Sequence, residues 1–91
     1  MTAAVAGPMK VRVTVADAWE TFALEAAVGE SAASLKLRAL VSARIDGARA
    51  AGYEMKVGGA LVRDESKPLA VLGVRTGAAL VVLSRRRRPV R

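Results

Sequence analysis

The chain has 91 residues, 53% of them hydrophobic, and 15 Lys and Arg against 8 Asp and Glu give a formal net charge of +7. That length makes one small domain with enough apolar material for a core. There is no cysteine and no histidine, which excludes disulfides, zinc–thiolate sites and thiol catalysis and removes the commonest general base and metal ligand. No apolar run reaches the ~18 residues of a membrane span. The opening MTAAVAGPMK lacks the charged and long apolar regions of a signal peptide, so a cytoplasmic protein is expected. The wealth of Ala, Gly, Val and Arg fits a GC-rich bacterial genome. Charge is uneven along the chain. Arg85, Arg86, Arg87, Arg88 and Arg91 hold five of the fifteen cations, and the remaining ten nearly balance the eight acidic residues. A near-neutral body with a basic tail is expected.

Residues 1–9 read as a flexible terminus, small and apolar without period. Val11, Val13 and Val15 then alternate with Arg12 and Thr14, the pattern of a half-buried strand. Asp17-Ala18-Trp19 is a short break. Thr21 to Ala26 alternates again, with Phe22, Leu24 and Ala26 on one face, which predicts an antiparallel hairpin. Residues 31–51 carry the helical signal. Ala33, Leu37, Leu40, Val41, Ile45 and Ala48 recur at spacings of three and four and are expected to face the core; Lys36, Arg38, Ser42 and Arg49 are expected outside. Ser31 is the expected N-cap and Gly47 a stop or weak point. On this register Leu37→Ala should damage the fold more than Lys36→Ala.

Beyond Gly52, Tyr53, Met55 and Val57 share one face of a third strand. Gly58-Gly59 signals a tight turn, and Ala60-Leu61-Val62 a short strand. Pro68 to Val74 suits one tight helical turn. Ala79 to Ser84 is a near-continuous apolar run, as in a central strand. The order β-β-α-β-β-β, with a short 3₁₀ turn before the last strand, predicts an α+β β-grasp over residues 10–84: a mixed sheet of four to five strands curled around one helix. The last strand should run parallel beside the first. Residues 85–91 form the Arg-rich tail.

Residues 21–26 (TFALEA), Gly58-Gly59 with Leu61-Val62, and 67–74 followed by 77–83 resemble the second strand, the third-to-fourth strand turn and the closing segment of the ubiquitin-like β-grasp family. Within that family the chain looks most like the bacterial YukD/EsaB-like proteins of type VII (WXG100) secretion loci. The resemblance implies a non-enzymatic protein-interaction domain without cofactor. Its expected partner is a membrane component of the secretion system. A second copy of the chain, as a homodimer, is a further candidate. On the alternative reading, a modifier or carrier in a bacterial conjugation system, the partner is an E1/E2-like enzyme. Carriers of this fold end in Gly-Gly, whereas Arg88-Pro89-Val90-Arg91 stands here and argues against adenylation or conjugation.

Four residues are expected to touch a protein partner. Trp19 would stand at the first hairpin tip, where ubiquitin-like folds present an apolar loop residue; its other reading is cover for the hairpin or helix end. Val81 and Leu83 lie opposite the inward Leu80 and Val82, and with Lys56 they would form a patch on the outer sheet face. Arg85 to Arg88 and Arg91 suit a polyanion, nucleic acid or anionic lipid, or act as a solubilising tail. A basic-tailed nucleic-acid binder is a third reading; the run holds no interleaved aromatic and the body no basic motif, and both argue against it. The glycine segments match no phosphate loop. Asp64-Glu65 reads as ordinary solvated charge, and no nucleophile–base pair is spaced for catalysis.

Overall fold

The structure is a computed structural model that describes residues 8–85. Five strands, β1 (Met9–Val15), β2 (Glu20–Ala26), β3 (Tyr53–Val57), β4 (Ala60–Leu61) and β5 (Ala79–Ser84), form one sheet in the order β2-β1-β5-β3-β4. The β1–β2 hairpin is antiparallel, β1 and β5 are parallel, and β3 is antiparallel to both β4 and β5. The expected β-grasp order is present. β1 begins at Met9, which is buried and pairs with Ala26, so the strand starts one residue earlier than its alternation suggests.

The alternating residues Val11, Val13, Val15, Met55, Leu80 and Val82 all point into one core, because successive strand side chains take opposite faces. One α-helix, α1 (Ala32–Ser42), lies on that face. Each orphan donor of its first turn has an acceptor. Ser34 N–H donates to the Ser31 hydroxyl at 3.1 Å, Ala32 and Ala33 N–H donate to the carbonyls of Lys67 and Glu65, and Leu35 N–H donates to the Ser31 carbonyl. The loop before β5 therefore caps the helix. Residues 68–74 of that loop form the expected tight turn, with successive i→i+3 bonds from Val71, Leu72 and Gly73 N–H. Gly58 and Gly59, with φ 60° and 86°, close the β3–β4 hairpin as the twist of its strands requires. Val62 falls outside β4 but is buried.

The helix departs from expectation in length and phase. It stops at Ser42, not near residue 51. Arg44 takes a left-handed φ of 65°, Ile45 N–H reaches the Leu40 carbonyl at 2.8 Å, and Arg44 N–H reaches that of Val41 at 2.9 Å. This is a Schellman ending built on arginine instead of glycine. Residues 47–52 form a separate 3₁₀ helix. A Cβ on Gly47 would stand 2.7 Å from Leu37 Cδ1, so Gly47 lets this segment lie against the helix.

The buried stripe is Ala32, Leu35, Lys36, Ala39 and Leu40. Leu37 is 42% exposed and Val41 58%. Ala33 and Ala48 are exposed as well, and of the six expected residues only Leu40 is fully buried. Lys36, expected outside, is 3% exposed. Its stem packs like an aliphatic chain while its ammonium donates to the Tyr53 carbonyl at 2.8 Å and to Glu65 Oε1 at 2.6 Å. Glu65 is thus no solvated loop charge. Its other oxygen, Oε2, is buried without a hydrogen bond and has the Arg85 guanidinium at 4.0 Å. Arg38 lies on the half-buried flank, donating to the Glu30 carboxylate and to the Glu25 carbonyl at the end of β2.

Two thermal or denaturant series follow from this packing. Leu35→Ala should cost about 2–5 kcal/mol as a buried large-to-small change. Lys36→Ala should cost about 3 kcal/mol, since it takes the donor from both Glu65 Oε1 and the Tyr53 carbonyl and leaves the carboxylate only the distant Arg85. Leu37→Ala should cost no more than about 1 kcal/mol. The reverse order would restore the sequence-based register. Separately, Arg44→Gly should raise stability by about 1 kcal/mol, because left-handed backbone costs an L-residue about 1–2 kcal/mol and glycine nothing.

Candidate functional site

The outer face of the sheet is open. Register brings Thr21, Thr14, Val81, Lys56 and Leu61 into one row across all five strands. Ala23, Arg12 and Ala79 form the neighbouring row, and Leu83 faces Glu54. Val81 is 37% exposed and Leu61 is similarly exposed, while Lys56 and Leu83 are half-buried. Three of the four expected protein-contact residues, Val81, Leu83 and Lys56, are therefore together. Leu61 completes the row, with Lys56 between it and Val81. Sequence reasoning passed over it because a two-residue strand has no readable alternation; its pairing with Lys56 is the signal. A cleft of about 320 Å³ opens beside β4, with Leu61, Val62 and Leu72 on its walls and Arg63 and Lys67 among its polar residues.

Trp19 lies outside the sheet, at the tip of the β1–β2 hairpin, and is 89% exposed. It covers neither hairpin nor helix end. Ala16–Ala18 makes a single 3₁₀ turn, Trp19 N–H returns to the Ala16 carbonyl at 3.1 Å, and Trp19 itself is left-handed with φ 55°. The loop needs that conformation in its last residue to bring Glu20 opposite Val15. For a bulky side chain it is an outlier.

Of the tail arginines, Arg85 is described and is tied to the body. Its N–H donates to the Gly52 carbonyl at 2.8 Å and its Nε to the Ala51 carbonyl at 3.0 Å. Arg86, Arg87, Arg88 and Arg91 lie outside the described residues.

The hairpin tip and the start of β3 are joined. The Tyr53 ring is buried, and its hydroxyl donates to Asp17 Oδ2 at 3.3 Å. Burial raises the phenol's pKa above its ordinary value, and the Asp17 charge and hydrogen bond raise it further. A raised native pKa means stability that is whole below pH ~10 and is lost as pH rises through the raised value. Tyr53 is the sole tyrosine, so phenolate absorbance reads it directly. The midpoint should lie above ~10 in the folded chain, and Asp17→Asn should lower it. A midpoint at the ordinary value would mean the hydroxyl is free in water.

No family model matches the sequence, and no curated protein matches it. Solved structures do. The ubiquitin-like domain of an Arabidopsis thaliana protein, solved by NMR, superposes with a TM-score of 0.75 at 17% identity, over 99% of this chain and 90% of that one. The ubiquitin of Caldiarchaeum subterraneum gives 0.74 at 18% identity, over 91% and 100%. A de novo design based on ubiquitin gives 0.75 at 9% identity, over 93% and 98%. At such identities the likeness is one of fold. With five strands in a mixed sheet, the first and last parallel at its centre, and one helix packed across it, the chain has the ubiquitin-like β-grasp fold.

Proposed function

We propose that this domain binds another protein through the open face of its sheet and carries out no chemistry of its own. The observation that carries this reading is the outward-facing row Val81, Lys56 and Leu61, its two apolar members exposed, flanked by Leu83 and Ala79. These residues are contiguous and held on paired strands, so they lose little freedom on docking. Arg12, Thr14, Thr21 and Glu54 surround them. An apolar centre within a polar margin is the anatomy of a protein interface. The cleft beside β4 extends the patch at Leu61 and offers a partner side chain a place to insert.

The setting proposed is that of a YukD-like accessory of type VII secretion, working in the bacterial cytoplasm on a component of that system. What supports it is the look of the chain within the ubiquitin-like family, whose segments residues 21–26, 58–62 and 67–83 resemble. The test is co-expression of the full chain with the genes that flank its own, followed by affinity measurement with the protein that copurifies. Val81→Asp should weaken binding by roughly 30-fold, the loss of one hot-spot residue at about 2 kcal/mol. Its melting temperature should hold, since Val81 is on the solvent face. Undiminished binding would remove the sheet face from the reading. A partner from a conjugation enzyme set would replace the secretion setting with that of a modifier.

A further inference from the structure

The two edges of the sheet are built differently. At one edge β4 has only two residues. At the other, β2 runs for seven residues, pairs with β1 along its whole length without a bulge, and holds no lysine or proline. Short strands, bulges, lysine and proline are the usual guards of a sheet edge. The β4 edge is guarded by its shortness, whereas β2 carries none of these devices. The hydrogen bonds of β1 show which groups of β2 face outward. Along a strand in an antiparallel pair, residues bonded to the neighbour alternate with residues that are not. Lys10 N–H donates to the Thr76 hydroxyl, the Lys10 carbonyl accepts from Gly77, and Arg12 N–H donates to the Ala78 carbonyl. These groups of β1 point away from β2, so their cross-strand partners Glu25 and Ala23 are not bonded to them, and Thr21 follows in phase. The N–H and C=O of all three point out from the edge. Arg38, which donates to the Glu25 carbonyl, shows the same direction. No bond from the Thr21 or Ala23 main chain runs to a described residue outside β1.

From this open edge we infer that β2 pairs antiparallel with β2 of a second copy of the chain, about a two-fold axis at Ala23, so that one sheet continues through both molecules. The strand's own sequence, ETFALEA, argues for this occupant. With the axis at Ala23, that residue meets its own copy, Thr21 meets the second copy's Glu25, Phe22 meets the second copy's Leu24, and Glu20 meets the second copy's Ala26. The whole strand is paired, outward-facing groups meet outward-facing groups, and no like charges are opposed. Any other axis leaves residues of the strand unpaired. Phe22 and Leu24 are half-buried on the helix side of the edge. The pairing sets each against the other's copy, and an aromatic beside an aliphatic is a favourable cross-strand neighbour. Glu25 is exposed on the outer face and already has Lys10 opposite it on β1, so its charge is balanced before a second copy arrives. The site lies at the edge away from Leu61 and works through main-chain groups. It and the sheet-face reading therefore stand or fall separately.

Edge pairing buries less surface than a standard interface, so the dimer is weak and a concentration series reads it. Sedimentation equilibrium of the full chain, from micromolar to millimolar, should show monomer giving way to dimer. By NMR, amide exchange at Thr21 and Ala23 should slow over the same range. Ala23→Pro removes the central donor at a place where an edge strand tolerates proline, because that N–H faces solvent. It should keep its circular dichroism and dimerise roughly tenfold more weakly, having lost the two bonds at the axis. Thr21→Lys sets an ammonium against the second copy's Glu25 and should tighten the dimer roughly threefold, although lysine on an edge otherwise blocks pairing. Val81→Asp should leave dimerisation unchanged. A chain that stays monomeric throughout overturns the inference and leaves the edge to an extended segment of another protein. Dimerisation undiminished by Ala23→Pro also overturns it, since the contact would then lie elsewhere. So does a Thr21→Lys dimer weaker than the parent, which would remove the axis at Ala23.

Discussion

Among the described residues Lys36 is the only charged one buried as a whole, and its ammonium holds together parts of the chain that strand pairing does not. A buried ammonium is tolerated when its charge is matched and its donors are used. Here the matching groups come from two places, the backbone at the start of β3 and the carboxylate of the loop that follows β4. That loop in turn caps the first turn of α1 with the Lys67 and Glu65 carbonyls. Helix, third strand and closing loop are thus locked around one side chain. The second oxygen of Glu65 has the Arg85 guanidinium at 4.0 Å, and Arg85, just past the end of β5, is itself bonded to the Ala51 and Gly52 carbonyls.

That arrangement explains which parts of the fold were legible. Strands with period two were read correctly, because Val11, Val13 and Val15 or Leu80 and Val82 admit one inward face only. The Gly-Gly turn was legible because both its residues need positive φ. The helix was misread for two physical reasons. Its stop at Arg44 carries no glycine, so the periodic count ran on into Ile45 and Ala48, which belong to later segments and pulled the apparent stripe round. And Lys36 was scored by its charge, when its stem and its matched head let it occupy a core position. A polar residue whose partner lies 29 positions away in sequence gives no local sign of burial.

The candidate site was legible to the same extent and for the same cause. Val81 and Leu83 announced themselves because a central strand that is apolar on both faces must present one of them outward. Lys56 followed from its alternation with Met55 and Val57. Leu61 did not, since its role comes from pairing with Lys56 across a turn. Trp19 was placed at the correct turn, but its exposure was undecidable from composition alone. What decides it is backbone: the four residues between Val15 and Glu20 must end left-handed, and Trp19 holds that place fully out in water.

Exposure of an apolar side chain is by itself ordinary, since much of any protein surface is apolar. Val41 shows this. It is more exposed than Val81, yet its apolar surroundings are Leu37 one turn back and the backbone of Gly47, with Ser42 and Arg44 exposed beside it. What separates Val81 from Val41 is continuity. On the sheet the hydrogen-bonded ladder carries apolar character from Ala79 and Val81 across Lys56 to Leu61 without a flexible joint. Trp19 differs from both: it stands on a turn between small residues, held by a backbone conformation that few large side chains adopt. The sheet patch therefore has the breadth and rigidity of a protein-contact surface, whereas the tip presents a single ring.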